Sequence, residues 1–232
     1  MGAGPALMGL AGCAGPLSAL APAGPSAEAI AQVWWWMLGV STLVLLGVLL
    51  LWLWAMRSRR NHAQDDAQRS GQRWIIGGGV ALPGVAILAL LVFGTPAGRH
   101  QIAWPRGAGE PAPLEIHVSA SRWEWHLVYP EAGVRIRNEL RLPVGRDVDL
   151  HVSSRDVIHS FWIPRLGGKL DALPGRVQVL RLRADEAGTF LGQCAEFCGL
   201  GHAHMKFAVH AMEPARFEAW LVEARGTQEA AR

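Results

Sequence analysis

The chain has 232 residues, half of them hydrophobic, with eleven Trp, one Tyr and a formal net charge of +3 at neutral pH. Such an apolar fraction, concentrated in two long uncharged runs, argues against a wholly soluble protein and indicates a membrane-anchored one. The small net charge provides no general attraction to nucleic acid, which we do not expect as a partner.

The first segment, residues 1–32, is rich in Ala, Gly and Pro and contains no Lys or Arg. Within it, the four residues from Leu10 to Cys13 resemble a bacterial lipobox, in which the cysteine becomes lipidated after signal cleavage. An ordinary signal peptide would begin with basic residues, and none is present. The segment is therefore predicted to be either a lipoprotein-like signal or a leader without fixed structure.

Two uncharged runs follow, at residues 33–56 and 74–93. At about 1.5 Å per residue, the first can cross a hydrocarbon core of about 30 Å. Tryptophans lie at both of its ends, where interfacial aromatic residues belong. The second run is near the minimal spanning length and is interrupted by three glycines, residues 77–79, and by Pro83. Together the runs predict a two-helix transmembrane hairpin over residues 33–93.

The loop between the runs, residues 57–73, contains five Arg against Asp65 and Asp66. A short basic loop marks the cytoplasmic side of a membrane. Everything after the hairpin then faces the periplasm of a bacterium or the intermembrane space of a mitochondrion. We expect a multi-pass protein of the bacterial inner (plasma) membrane, with its C-terminal domain in the periplasm.

A Gly- and Pro-rich linker, residues 94–113, leads to a domain at residues 114–232 that consists of short runs separated by turn signals. Such runs predict strands of a sandwich or barrel, and about 120 residues can bury their own core. The amphipathic stretch that begins at Pro214 predicts a closing helix. Residues 156–176 hold several Gly and Pro and are predicted to form a shaped turn. The strands are predicted at residues 114–119, 122–129, 134–142, 147–153, 176–183, 189–193 and 206–210.

Near the end of the domain, residues 193–205 hold two cysteines, two histidines and a methionine, and the cysteines, the first histidine and the methionine lie at intervals suited to a soft metal. Cys194 and Cys198 are one helical turn or one tight loop apart, so both sulfurs can reach one site. His202 and Met205 follow closely enough to complete it. Thiolate, imidazole and thioether together favour copper over magnesium or calcium.

Other interpretations of these residues stay open at this point. A C-x3-C pair outside the cytoplasm is also typical of a disulfide, and a methionine often fills a gap in a core. A blue-copper site would need only one thiolate, and methionine is a poor ligand for zinc. His159 offers a ligand from a distant part of the chain, although a single histidine is more often structural.

Residues 156–176 and 188–205 together resemble the two copper-binding segments of subunit II of haem-copper cytochrome c oxidases. The resemblance implies a mixed membrane and all-β protein, in which the transmembrane hairpin is followed by a cupredoxin-like Greek-key β-barrel with a C-terminal helix. It also implies a binuclear copper centre, CuA, whose two copper ions share two thiolates. The copper ligands that it implies are His159, Cys194, Glu196 through its backbone carbonyl, Cys198, His202 and Met205.

By the same resemblance, the chain is expected to be the subunit through which electrons enter an aa3-like cytochrome c oxidase. Cytochrome c would donate the electrons, and haem in subunit I would receive them for the reduction of oxygen to water. Trp123 matches the exposed tryptophan that accepts the electron in the family, and Trp125 is its companion. The side chain of Glu196 is expected to bind magnesium at the border with subunit I. The expected partners are subunit I, the other oxidase subunits, cytochrome c and membrane lipid.

Two features depart from the simplest form of this expectation. Gly71 stands three residues before Trp74, where the family commonly has a Glu, so proton uptake would have to be arranged differently. From residue 94 onward there are 17 Lys or Arg and 16 Asp or Glu, so this part is not a globally acidic receptor for a basic cytochrome.

Two other functions stay open. One is a copper-delivery or stand-alone membrane-anchored redox protein; the other is a quinol oxidase subunit II, which would share the hairpin and barrel but lack the ligands.

Overall fold

The computed structural model describes residues 14–58, 64–105, 107, 109 and 111–230. The chain divides into two units, one formed by the residues up to Ala31 together with those from Gly98 onward, the other by Gln32–Ala97. Cys13, the cysteine of the lipobox-like sequence, lies outside the described residues.

Two long apolar helices precede the β strands, as predicted. Both α1 and the continuous helix over Gln68–Gln101 are long and apolar enough to cross a membrane, and both extend beyond the predicted runs. The second helix contains a π-helical segment that ends two residues before Pro83, which has no N–H to donate to the carbonyl four residues earlier. The helical elements of this part are α1 (Pro25–Arg57), α2 (Gln64–Trp74), the π-helical segment (Ile75–Ala81), α3 (Leu82–Gly94) and a 3-10 segment (Thr95–Gln101).

Among the described residues, ten strands form the β part of the unit that contains residues from Gly98 onward. They are β1 (Leu114–Ser121), β2 (Glu124–Tyr129), β3 (Val134–Arg137), β4 (Glu139–Pro143), β5 (Val148–Ser154), β6 (His159–Trp162), β7 (Leu170–Ala172), β8 (Gln178–Leu182), β9 (Gly188–Cys194) and β10 (Lys206–Met212). One five-stranded sheet has the order β3-β2-β1-β5-β8 and the other β4-β10-β9-β6-β7. The β1–β5 and β4–β10 pairs are parallel, so the chain crosses between sheets rather than running as a simple meander.

This arrangement, closed by α4 (Pro214–Ala230), confirms the predicted cupredoxin-like domain with its C-terminal helix. Side chains alternate along each strand, so one face of each sheet lies against the other sheet and the opposite face meets water. In β1 the buried positions are Leu114, Ile116, Val118 and Ala120. They pack with buried residues of the second sheet in one core.

Two segments differ from the predicted strands. The run at 134–142 divides into β3 and β4 at Asn138, whose φ of 53° lies in the left-handed region. The Asn138 side-chain carbonyl accepts a hydrogen bond from the Trp125 backbone N–H, which fixes this break. The stretch at 156–176, predicted as a turn, contains β6 and β7. Because β6 pairs with both β7 and β9, four residues suffice for a strand there.

The described part of the N-terminal segment is attached to the β domain by backbone hydrogen bonds. The Ala23 N–H donates to the Arg165 carbonyl over 2.7 Å, and the Ala23 carbonyl accepts from the Asp185 N–H over 2.9 Å. Gly24 packs so closely that a Cβ would lie 2.1 Å from the Arg183 carbonyl oxygen. Only glycine fits this contact.

We expect Gly24→Ala to detach this segment. The atom that it would meet belongs to the backbone and cannot swing aside, so the added methyl should cost about 1–3 kcal/mol of contact free energy. Limited proteolysis of the full chain in detergent, with fragment masses, would show faster cleavage around residues 14–24. Gly39→Ala is the matched control, because its added Cβ meets nothing within 4 Å. Equal cleavage of the two variants would contradict the expected effect.

Candidate metal centre

Strand ends and one loop bring the predicted ligands together. β9 ends at Cys194, and the neighbouring antiparallel strand β6 begins at His159. Cys198 lies in the loop after β9, and a 3-10 segment at His202–His204 leads back to β10. The Cys194 N–H donates to the Met205 carbonyl over 2.9 Å, which closes the loop at its base.

Sulfur and nitrogen atoms of these residues converge on one region beneath the loop. The two cysteine Sγ atoms are 3.9 Å apart, well beyond the roughly 2 Å of a disulfide. Nδ1 of His159 lies 3.9 Å from Sγ of Cys194, and Nδ1 of His202 lies 3.6 Å from Sγ of Cys198. Sδ of Met205 is 3.8 Å from Sγ of Cys198. The ligand atoms of His159 and the two cysteines all lie within 4.8 Å of one another, so these buried residues can hold a metal ion.

Burial keeps the Cys198 thiol protonated until a cation replaces the proton. Burial first, and the neighbouring Cys194 second, raise the pKa of Cys198 to about 11. At neutral pH such a thiol is not a reactive nucleophile. A metal ion that prefers thiolate would displace its proton on binding, so the chemistry of this donor set fits a soft cation.

Asp156 orients the His159 ring. Its Oδ1 lies 2.9 Å from Nε2 of His159 and accepts from the Val157 N–H over 2.7 Å, and its Oδ2 accepts from the Arg122 N–H over 2.8 Å. Burial opposes ionisation of this carboxyl, but the hydrogen bonds from His159 and the two backbone groups outweigh it and lower the pKa of Asp156. The carboxylate therefore holds Nε2–H as a donor and leaves Nδ1 free to bind a metal.

We expect Asp156→Asn to weaken metal binding by about 10–100-fold, because loss of the charge removes the group that fixes the His159 tautomer. Competition for copper against a chelator of known affinity, with the full chain in detergent, measures the change. Asp185→Asn is the control, since this exposed carboxylate follows β8 and pairs with Arg183. Unchanged affinity in Asp156→Asn would contradict the orienting role.

Glu196 turns its backbone and its side chain to different neighbours. Its carbonyl oxygen lies 3.2 Å from Sγ of Cys194, whereas its carboxylate lies 3.7 Å from Nζ of Lys169. The same ammonium is 2.9 Å from Asp171, and its hydrogen bond, with a second from the Ser160 hydroxyl, lowers the pKa of Asp171. Sequence analysis missed Lys169. The signal that could have found it is that it is one of only two lysines in the sequence and lies within a ligand-bearing segment.

The two candidate tryptophans lie in different environments. Trp123, in the turn between β1 and β2, is 41% exposed, and its Nε1–H donates to the Cys198 carbonyl over 3.4 Å. Gly201, which sequence analysis did not assign a role, lies under this ring, where a Cβ would approach to 2.4 Å. Trp125 is fully buried, with its ring centroid 6.1 Å from that of His159. Trp123 therefore joins the surface to the ligand loop, while Trp125 packs beneath a ligand.

An aromatic floor supports the site from the core side, and we define it as Trp125, Phe161 and Phe207. The Trp125 centroid lies 5.1 Å from Phe161 and 5.7 Å from Phe207, and the two phenylalanines stack at 4.6 Å. The Phe207 ring occupies the space that a side chain at Gly192 would need, since a Cβ there would lie 2.0 Å away. The three rings come from three strands and hold the ligand-bearing ends of β6 and β9 in place.

Comparison with known proteins establishes the family. Residues 120–212 match the family model of the periplasmic domain of cytochrome c oxidase subunit II. The ubiquinol oxidase subunit 2 of Acetobacter aceti is 30% identical over 229 residues, which cover 95% of this chain and 73% of that protein. The chain belongs to the subunit II family of haem-copper oxidases.

This subunit II has relatives named for different electron donors. The cytochrome c oxidase subunit 2 of Alkalihalophilus pseudofirmus is 32% identical over 223 residues, covering 91% of this chain and 64% of that protein. Among solved structures, the periplasmic domain of subunit II of a Bradyrhizobium japonicum cytochrome oxidase is 31% identical. The match covers 51% of this chain and 97% of the solved domain, with a TM-score of 0.49. Family membership makes the chain a subunit of an oxidase complex, and the choice between cytochrome c and quinol depends on the site itself.

Proposed function

We propose that this subunit receives electrons from cytochrome c at a binuclear copper centre and passes them to haem in subunit I of an aa3-like cytochrome c oxidase. The observation that carries the proposal is the pair of buried sulfurs 3.9 Å apart, each with an imidazole Nδ1 beside it. One thiolate serves a mononuclear blue-copper site. A second thiolate at this distance would suit a second copper ion, with both sulfurs available to both ions.

Two further donor groups lie beside each cysteine sulfur. The His159 ring and the Glu196 carbonyl lie beside Cys194, and His202 and Met205 lie beside Cys198. A copper pair bound there would take up and release one electron at a time with little change in its bonding. The protein's part is to keep the donors fixed, through Asp156, the aromatic floor and the backbone bond at the base of the loop. The proposed copper ligands are His159, Cys194, Glu196, Cys198, His202 and Met205.

We assign Trp123 as the residue through which the electron reaches the centre, because its indole is exposed on one side and bonded to the ligand loop on the other. Trp125 supports this path from the core by packing against His159. The Glu196 carboxylate would offer one oxygen to magnesium at the border with subunit I, since this ion keeps several waters and needs few protein ligands. Lys169 would then pair with Asp171 alone.

The helices and the family support a place in the bacterial plasma membrane. Two helices have the length and composition of membrane spans, and the matched family model describes a periplasmic domain. The short basic segment between the spans favours the cytoplasmic side for residues 57–73. The copper ligands would then face the periplasm, where a soluble cytochrome can reach them.

The test is to purify the full chain in detergent, load it with copper, count copper per chain and record its electron spin resonance spectrum. Two copper ions that share one unpaired electron are expected. One copper ion with the spectrum of a mononuclear blue site would contradict the proposal. Recovery of the native chain together with a haem-bearing membrane subunit separates the oxidase role from copper delivery or a stand-alone redox function.

A quinol oxidase is the second candidate, favoured by the similarity to the Acetobacter aceti protein. In that role the β domain would not need its thiols and imidazoles, so the intact donor set counts against it. The purified complex should oxidise reduced cytochrome c and fail to oxidise ubiquinol. Turnover with ubiquinol alone, in a complex whose subunit II holds no copper, would establish the second candidate instead.

A further inference from the structure

The exposed face of Trp123 is extended by an apolar side chain. Leu200 is 97% exposed, the extreme among the exposed large hydrophobic residues of the described chain. It stands between Gly199 and Gly201, and a Cβ at these glycines would lie 3.4 and 2.4 Å from the Trp123 ring. Leu200 therefore lies exposed on the loop segment that packs against the indole, and we call the two exposed side chains, Trp123 and Leu200, the apolar patch. Its burial by another protein would remove this surface from water.

Three arginines lie at the end of the sheet that carries Trp123. Arg122 is the neighbour of Trp123 in the β1–β2 turn, and Arg137 faces β2 with its guanidinium 3.5 Å from Glu124. Arg155 follows β5 at the same end of the sheet, where its backbone N–H donates to the Ala120 carbonyl. The three arginines form what we call the basic rim.

The carboxylates near the basic rim are already engaged. Glu124 lies 3.0 Å from His126 as well as beside Arg137. One Asp156 oxygen lies 3.4 Å from Arg122, and the other lies 2.9 Å from Nε2 of His159.

Arg155 leaves the basic rim with surplus positive charge. Its Nε donates to the Ser119 hydroxyl, and among the described residues no carboxylate lies within 4.0 Å of its guanidinium. Burial, followed by the field of Arg155, lowers the pKa of His126, which lies on the same sheet face. Three arginines against two engaged carboxylates make the surface around the apolar patch electropositive.

We propose that this surface docks a soluble c-type cytochrome whose exposed haem edge is framed by apolar side chains and surrounded by carboxylates rather than lysines. The proposal rests on the proposed function and names the chemistry of its electron donor. Complementary charge speeds encounter and sets orientation, while the apolar patch provides the close contact. One electron leaves the donor haem iron and the subunit gains it, with no bond made or broken at the surface. A lysine-rich donor would meet like charge at Arg155.

The test uses the purified oxidase complex and two soluble cytochromes, one acidic and one lysine-rich around the haem edge. The KM for the acidic donor should rise with salt, because screening weakens attraction between opposite charges. Arg155→Glu should raise the KM for the acidic donor by about tenfold, the lower end of electrostatic steering, and lower the KM for the lysine-rich donor. Arg146→Glu is the control. It makes the same charge change just before β5 begins, whereas Arg155 follows the end of that strand, so both KM values should stay unchanged.

Leu200→Gln probes the apolar patch separately. Its side chain is almost wholly exposed, so the substitution leaves the fold intact and should raise the KM for both donors without altering the salt dependence. Preference for the lysine-rich donor, or equal and salt-independent KM values, would overturn the docking proposal alone. Oxidation of neither cytochrome would overturn the proposed function and this proposal with it.

Discussion

Cys198→Ser is expected to abolish turnover driven by cytochrome c while the β domain stays folded. A hydroxyl replaces a thiol of nearly the same shape, so the packing of this buried position changes little. A serine hydroxyl is a harder donor than thiolate and keeps its proton at neutral pH, so it is a poor bridge between two copper ions. Changes to residues that only support a ligand lower metal affinity or activity by about 10–100-fold. Loss of a shared thiolate should therefore lower turnover by more than about 100-fold.

The measurement combines copper per chain, the spin resonance spectrum and turnover of the purified complex with reduced cytochrome c. Cys13→Ser is the matched control, because it makes the same substitution at the third cysteine of the sequence and should retain copper. A cooperative thermal transition like that of the unsubstituted complex would show that Cys198→Ser has folded. Retention of both copper ions with full turnover would contradict a shared thiolate bridge.

The ligand loop and the apolar helices could be predicted because their signals are local. The two cysteines, His202 and Met205 all lie within residues 193–205, so they restrict one another's positions whatever the rest of the fold does. An uncharged run long enough to span a bilayer is likewise visible without knowledge of its neighbours. The assignment of His159 needed the family resemblance, because a single histidine does not show which distant loop it faces.

The strand that carries His159 could not be predicted from its own residues. β6 has four residues and is stabilised by pairing with β7 and β9, the second of which lies about 30 residues downstream. Glycines and prolines around it favour a turn, and tertiary pairing overrides that preference. The attachment of residues 16–24 to the β domain could not be predicted for a related reason. Backbone hydrogen bonds such as those of Ala23 leave no pattern in side-chain type.

The packing beneath the site depends on the register between strands, which sequence alone does not supply. The WEWHLVY run shows that one face of β2 is aromatic, but not that Trp125 is buried against His159 while Trp123 stays exposed. Similarly, Gly201 is necessary because it lies under an indole from another sheet. These contacts separate the two tryptophans into different roles.

Trp125→Ala is expected to destabilise the β domain by about 3–5 kcal/mol, the usual cost of removing a large aromatic ring from a core. The ring is fully buried and contacts Phe161, Phe207 and His159, so its loss leaves a cavity bounded by strands from both sheets. Its Nε1–H is buried with no hydrogen-bond partner among the described residues, which places the cost near the lower end of that range.

Trp125→Phe separates cavity formation from loss of the indole N–H. It retains an aromatic ring beside His159 and removes the unpaired donor, so it should cost distinctly less than the alanine variant. Pulse proteolysis of the metal-free full chain in detergent, across a urea series, measures both variants without the stabilisation that bound copper would add. Because the cavity also frees the His159 ring, copper affinity should fall in Trp125→Ala and stay close to normal in Trp125→Phe. Equal destabilisation of the two variants would contradict ring packing as the source of the effect.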